Sequence, residues 1–284
     1  MNVTILDYIP LWVLFVMTIT LVMLAVEAGY LLGKSHQGRH VDTSPVSTMV
    51  GAALGLLAFM LAFTFGMSGN RFEIRKELVV EDANAIRTAY LRADLLNESE
   101  RTMTRILLRE YVDIRIDVSL HPEHRSINSL ARTEQIQDQL WAIGLKLSQK
   151  DPNALFLQSL NNVFDNHNKR ISIAFTNRIP GTIWLVLYAM LFFSMAAVGY
   201  YSGITVSRSR LIAVVLAVAF SAILILIDDL DRPQQGFLKV SQQAMISVRN
   251  KMNADAMMNA GNPGKSTGDE QIPASSQDAA KDSK

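Results

Sequence analysis

The 284-residue sequence contains no cysteine, which excludes disulfide bonds, thiol nucleophiles and cysteine metal sites. An excess of charge is missing too: 27 Lys and Arg stand against 26 Asp and Glu, a net charge of +1. A chain this close to neutral is not expected to bind nucleic acid as its main partner. The sequence also lacks a phosphate-binding loop, a dinucleotide fingerprint, a zinc-protease helix and a nucleophile elbow. We therefore expect neither an enzyme nor a cofactor.

Long apolar segments, in contrast, are abundant. A helix that crosses a bilayer needs roughly 17–25 predominantly apolar residues. Four segments reach this length and predict transmembrane helices at residues 9–33, 46–67, 182–201 and 209–229. The sequence therefore predicts a multi-pass membrane protein whose first partner is the lipid bilayer.

The remaining sequence predicts an all-α protein with one extramembrane layer. Residues 71–178, between the second and third spans, have balanced charges and no alternating strand pattern. Within them Asn97 precedes Glu100 at the spacing of a capping box, which marks a helix start. Residues 253–284 are polar and without periodicity, so they predict a disordered tail.

The second span predicts a helix that leaves the bilayer without stopping. The stretch FTFGMSGNRFEIRKELVVEDANAIRTAY (residues 63–90) contains no proline, and Gly66 and Gly69 are its only helix breakers. A continuous helix from Val46 to Leu96 would be about 75 Å long at about 1.5 Å per residue. Such a helix would connect the membrane to the extramembrane layer.

The faces of this second helix are sorted by residue type. The sequence places in separate stripes the apolar residues Phe59, Phe63 and Met67, the small residues Ala58, Ala62 and Gly66, and the polar residues Thr64, Ser68, Arg71 and Arg75. Small residues let membrane helices approach closely, and apolar rings can gate a pore by dewetting. The apolar stripe is thus a candidate pore neck and the polar stripe a candidate pore exit. Packing within a helix bundle would satisfy much of the same pattern.

Three acidic residues, Asp228, Asp229 and Asp231, end the fourth span. The C-terminus of a helix already carries partial negative charge, so acids there need partners. The second and fourth spans leave the membrane on the same side. We therefore predict ion pairs between these acids and Arg71, Arg75, Lys76 or Arg232, with a cation site as the alternative.

Glu27 is the only ionisable residue within the first span. An acid inside the membrane is a candidate for proton or ion transport, although Glu27 could instead lie near the interface beside Tyr30 and Lys34. His121 and His124 are three residues apart. Two histidines without a third ligand do not predict a metal site.

Three segments resemble conserved blocks of an uncharacterised bacterial membrane family described as bestrophin-like: LAFTFGMSGNRFEIRKELVVEDANAIRTAYLRADLL, LLREYVDIR and IDDLDRPQQGFLKVSQQAM. The resemblance extends from residue 10 to about residue 250. Phe65, Arg71, Phe72, Glu73 and Arg75 stand in an order comparable to bestrophins, whereas an acidic calcium clasp is not recognisable. Bestrophins are pentameric, all-helical chloride channels whose second helix lines an apolar neck. The resemblance implies a neck at Phe59, Phe63 and Met67.

Two functions follow as alternatives. The first is a homo-oligomeric ion channel that favours anions, and the second is a non-conducting scaffold or sensor whose helical layer binds other proteins. The short connections carry basic residues, which the positive-inside rule would place in the cytoplasm. Basic residues beside residues 71–178 and the family resemblance instead favour a cytoplasmic domain. We expect the domain and both termini on the cytoplasmic side of a bacterial inner membrane.

Overall fold

The computed structural model describes residues 9–36, 43–121, 124, 126–148, 155–176, 178–205, 210–232 and 236–261. These residues form eight α-helices, one short 3-10 helix and no strand, which confirms the all-α prediction. The α-helices are α1 Leu11–Ser35, α2 Thr43–Arg92, α3 Glu98–Leu120, α4 Ile127–Ser148, α5 Leu155–Thr176, α6 Gly181–Ile204, α7 Arg210–Asp231 and α8 Gln243–Gly261.

Four of these helices, α1, α2, α6 and α7, are long and apolar enough to cross a membrane, as predicted. Their buried apolar side chains form one core, and those of α2 beyond the membrane, α3, α4, α5 and α8 form a second. Helices α1, α6 and α7 start within two residues of the predicted spans and end two or three residues beyond them, because a helix need not end where the apolar segment ends. The described residues thus form two cores joined by α2, one among the four candidate membrane helices and one among the remaining helices, which we call the helical layer.

Helices α1 and α6 cross at two pairs of glycines. Gly29 and Gly33 of α1 face Gly199 and Gly203 of α6, and a Cβ atom on any of them would collide with the backbone of the other helix. Small residues spaced four apart allow this close approach in membranes. The small-residue pattern predicted from the sequence lies on the second span, so this crossing of α1 and α6 was not predicted.

Helix α2 runs without a break for 50 residues. This length exceeds the roughly 17–25 residues needed to span a bilayer, so the helix extends well beyond it. Its first half packs against α6 and α7, and its second half packs against α5 and α8. The 3-10 turn Ala93–Leu95 ends it, and Asn97 then caps α3 by accepting a 3.0 Å hydrogen bond from the backbone N–H of Glu100.

The predicted tail from residue 253 needs correction, because α8 continues to Gly261. Met252 is 2% exposed in the core of the helical layer. Its carbonyl accepts a hydrogen bond of 3.3 Å from the hydroxyl of Tyr90. This contact holds α8 against α2, and it depends on tertiary packing that the polar local sequence does not reveal. The rest of the predicted tail, residues 262–284, lies outside the described residues.

Candidate functional site

The membrane half of α2 has one face packed inside the protomer and one face turned away from it. Leu57 and Leu61 on the inner face are buried, whereas Phe59 and Phe63 on the other side are 65% and 60% exposed. Met67 is partly exposed. We call the exposed side the α2 outer face and define it by Gly51, Gly55, Ala58, Phe59, Ala62, Phe63 and Gly66.

The α2 outer face has no partner within the described protomer. Only 11% of the 18-residue apolar stretch of α2 is buried, compared with 28% of the corresponding stretch in each of the other three candidate spans. A Cβ atom built on Gly51, Gly55 or Gly66 would have no neighbour within 4 Å. A neighbouring helix occupies the space beside the crossing glycines of α1 and α6, whereas the space beside these glycines of α2 is open. The face therefore has the composition of a helix contact and lacks the contacting helix.

Two members of the predicted polar stripe do not lie on this face. Thr64 and Ser68 are both 0% exposed. The Thr64 hydroxyl donates to the carbonyl of Met60 at 2.7 Å, and the Ser68 hydroxyl donates to the carbonyl of Ile227 on α7 at 2.9 Å. Each residue follows an outward-facing one, and a step of one residue turns a helix by about 100°. The Ser68 hydroxyl thus belongs to the contact between α2 and α7, whereas the Thr64 hydroxyl bonds within α2.

The other two members of the stripe bind the end of α7. Arg71 donates through Nη1 to the Asp231 carboxylate at 3.3 Å, and the same carboxylate accepts the backbone N–H of Ile179 at 3.1 Å. Arg75 donates to the backbone carbonyls of Leu230 and Asp231. Guanidinium groups at the negative end of a helix satisfy carbonyls that have no intrahelical donor. This cluster joins α2, α7 and the segment before α6.

The other two acids of α7 have different partners. Asp228 pairs with Arg232 one turn later, at 2.8 Å, and Arg232 also donates to the carbonyl of Ile9 at 3.0 Å. Asp229 accepts the backbone N–H groups of Phe237 and Leu238 at 2.7 and 3.0 Å. Lys76 pairs with Glu73 instead, at 3.1 Å. These donors favour a structural role for the acids over a cation site.

Glu27 and the two histidines lie apart from this cluster. Glu27 is exposed on α1. His121 and His124 both contact Asp117, with Nδ1 to carboxylate distances of 3.2 and 2.9 Å, and the three exposed groups lie close enough to hold a metal ion. Hydrogen bonds from His124 and His121 lower the pKa of Asp117.

A second charged cluster, which the sequence analysis missed, lies in the helical layer. Asp82 is 0% exposed, and its Oδ2 accepts hydrogen bonds from Arg115 at 2.8 Å and from Arg170 at 2.6 Å. A buried carboxylate requires such partners because removing a charge from water is costly. The signal available in the sequence was one acid on the otherwise apolar inner face of α2, between Val79 and Ile86.

His167 completes this cluster in its neutral form. Its Nδ1 lies 3.0 Å from the Tyr111 hydroxyl and 2.9 Å from Nη1 of Arg115, so this nitrogen accepts from both. Burial and the positive charges of Arg115 and Arg170 lower the pKa of His167 to about 4. Burial also raises the pKa of Tyr111 to about 12, which keeps its hydroxyl a donor.

The chain is similar to known proteins in both sequence and fold. Residues 13–245 match the family model of the Bestrophin-like domain. No protein of curated function matches the sequence. Among solved structures, a membrane-protein crystal structure has 13% identity and a TM-score of 0.63, with 86% of this chain and 97% of that chain covered.

Two structures of a bacterial bestrophin homologue from Klebsiella pneumoniae are also similar. The first, a point mutant, has 16% identity and a TM-score of 0.61, with 87% of this chain and 98% of that chain covered. The second, solved by Zn-SAD phasing, has 17% identity and a TM-score of 0.59, with 85% of this chain and 96% of that chain covered. At these identities the likeness establishes the fold.

Proposed function

Because the chain belongs to the bestrophin-like family, we propose that it forms a homo-oligomeric ion channel in which α2 of every copy lines the pore. The observation that carries the proposal is the α2 outer face, which is apolar, rich in small residues and unpacked within the described protomer. Glycine and alanine contribute little apolar area to lipid but let helices approach closely. A second copy of the same helix is therefore a better partner for this face than lipid.

The aromatic residues of this face support a constriction at the axis. Phe59 and Phe63 lie one turn apart and point away from the protomer, and Met67 follows one turn later. Repeated by symmetry, each would form an apolar ring, and narrow apolar rings gate by excluding water. The family resemblance implies five copies, and we include this number in the proposal.

We favour anions as the conducted species. Residues 43–70 of α2 contain no charged side chain, so a neck built from them would have no acidic ring to select cations. The edge of a phenylalanine ring is its electropositive part, and rings that present edges to an axis attract anions. At the end of α7, Asp231 is paired with Arg71 and Asp228 with Arg232.

The test is ion flux through purified protein in liposomes, with chloride compared with potassium. We expect chloride flux from the wild type and a higher or less selective flux when Phe59, Phe63 and Met67 are all changed to alanine, because smaller side chains widen the neck. Leu185→Ala is the control, since Leu185 is 71% exposed but lies on α6.

Flux that is unchanged in the triple variant would contradict the neck. Absence of flux from every variant, in protein shown to be oligomeric, would favour the alternative function, a membrane scaffold whose helical layer binds other proteins.

We propose that the helical layer and both termini lie in the cytoplasm. The support is the family resemblance together with the basic residues Arg71, Arg75 and Arg178 at the membrane-proximal side of that layer. A reporter that is active only in the cytoplasm, fused at the C-terminus, should be active. Activity of a periplasm-specific reporter at that position would reverse the orientation.

A further inference from the structure

The helical layer contains a cavity of about 160 Å³ between α2, α3, α4, α5 and the segment before α8. This volume greatly exceeds the roughly 10–15 Å³ that one water needs, and it is smaller than typical pockets for drug-sized molecules, roughly 300–1,000 Å³. The size suits a small organic ligand. The described lining includes no residue of the α2 outer face, and Arg75 is shared between the cavity and the cluster at the end of α7.

The charged groups around the cavity are predominantly positive. Arg75, Arg115, Arg170 and Lys239 line it, and the described residues of the lining include no acidic side chain. The nearby Asp82 accepts from Arg115 and Arg170 through one shared oxygen, so one carboxylate serves two guanidinium groups. His167 also lines the cavity, and as a neutral acceptor it adds no compensating negative charge.

Several polar atoms of the lining residues have no hydrogen-bond partner. They are Nε of Arg75, Nε of Arg115 and Oε1 of Gln242, all buried. The side chain of Arg115 is only 13% exposed. Buried polar groups in native proteins are normally satisfied by protein, water or a ligand. Each of these atoms is inaccessible to solvent, so they lie within the wall of the cavity, and the charged groups of the lining carry the proposal.

Much of the remaining lining is apolar, with contributions from Leu78, Val79, Ile114, Val118, Leu130 and Ile171, and Ser119, Ser129 and Thr133 add hydroxyl groups. A small inorganic anion would leave this surface without a partner. From the basic groups on one part of the wall and the aliphatic groups on the other, we propose that the cavity binds a carboxylate or phosphate that bears a short apolar chain. This binding does not depend on conduction.

Such a ligand can come from water or from the bilayer. Arg75 lies one turn beyond Arg71 at the membrane end of the helical layer, so an anionic lipid is a possible source beside a free short-chain carboxylate. Both share the anionic head and the apolar chain.

The experiment is calorimetric titration of hexanoate into the full-length protein in phosphatidylcholine nanodiscs. We expect saturable binding, with an affinity about fivefold lower for Lys239→Gln, because the Coulomb energy of one charge pair at 4 Å in water is about 1 kcal/mol. Val118→Trp should abolish binding by filling the cavity. Lys146→Gln, an exposed lysine on α4 outside the lining, should bind like the wild type.

Hexanamide, the neutral analogue, separates charge recognition from apolar filling. Equal binding of hexanamide and hexanoate, unchanged binding by the Val118→Trp variant, or no hexanoate binding to the wild type would each overturn the proposal. Repeating the titration with phosphatidylglycerol in the nanodiscs identifies the source: a loss of apparent hexanoate affinity indicates that the lipid competes for the cavity, and an unchanged affinity indicates a soluble ligand. Neither result depends on whether the protein conducts ions.

Discussion

At the scale of single residues, the structure pairs charged side chains that lie far apart in the sequence. Asp82 is separated from Arg115 by 33 residues and from Arg170 by 88, yet all three meet at one oxygen. The sequence shows that Asp82 interrupts an apolar face but not which cations satisfy it. The acids of α7 were easier to interpret, since the end of a membrane helix is locally visible. Even there, the pairing of Arg71 with Asp231 requires the structure.

The neutral His167 predicts a pH dependence of stability. Its pKa of about 4 in the folded protein lies below the value of 6.5 for an exposed histidine. Between these values the unfolded state binds the proton more readily, so stability is fully present above pH 6.5 and falls toward pH 4, by up to about 1.4 kcal/mol per pH unit. We expect this loss in thermal unfolding of the wild type.

The variant His167→Gln should flatten this part of the profile, because glutamine does not titrate and its oxygen can still accept from Arg115. His124→Gln is the control, since His124 is exposed. Equal pH dependence in all three proteins would show that His167 is not the group responsible.

At the scale of elements, glycines have two different roles. Gly199 lies where α6 touches the backbone of α1, whereas Gly55 faces open space on α2. We predict that Gly199→Leu prevents folding of the protomer, because the side chain would collide with backbone that cannot move aside. Gly55→Leu should leave the protomer folded and weaken assembly. Protease resistance and size-exclusion chromatography in detergent distinguish these outcomes.

The same defect in both glycine variants would contradict this division of roles. A Gly55→Leu variant that folds and assembles fully would show that Gly55 does not take part in the proposed contact between copies.

The sequence predicted the spans and the unbroken α2 because each depends on local properties: apolar length, helix formers and the absence of proline. It failed for α8, whose polar residues are ordered by contacts such as that between Tyr90 and Met252. It also assigned Thr64 and Ser68 to a pore exit, since a helical stripe identifies residues that share a face but not what that face contacts. The contact of Ser68 with α7 becomes visible only in the structure.

At the scale of the whole molecule, the described residues form a core in each layer and leave the α2 outer face without a partner. The two apolar cores are buried without help from another chain. The α2 outer face is the exception, and it runs along the longest helix. We therefore consider assembly around α2 to be the central claim, because the pore, its neck and its anion preference all depend on it.

The absence of cysteine makes this claim directly testable, since a single engineered cysteine is the only thiol in the chain. Arg71 and Ile179 both contact the carboxylate of Asp231, so they lie at a similar depth. Phe63 lies eight residues before Arg71, and Leu185 lies six residues after Ile179. The two positions therefore lie at similar depths, with exposures of 60% and 71%. Only Phe63 belongs to the α2 outer face.

The measurement is cross-linking of Phe63→Cys and Leu185→Cys in native membranes with a short bifunctional thiol reagent. We predict covalent dimers from Phe63→Cys and few from Leu185→Cys, because α2 of each copy would meet its symmetry mates at the axis. Efficient cross-linking through Leu185→Cys with none through Phe63→Cys would place α6 rather than α2 between the copies and contradict the proposed pore.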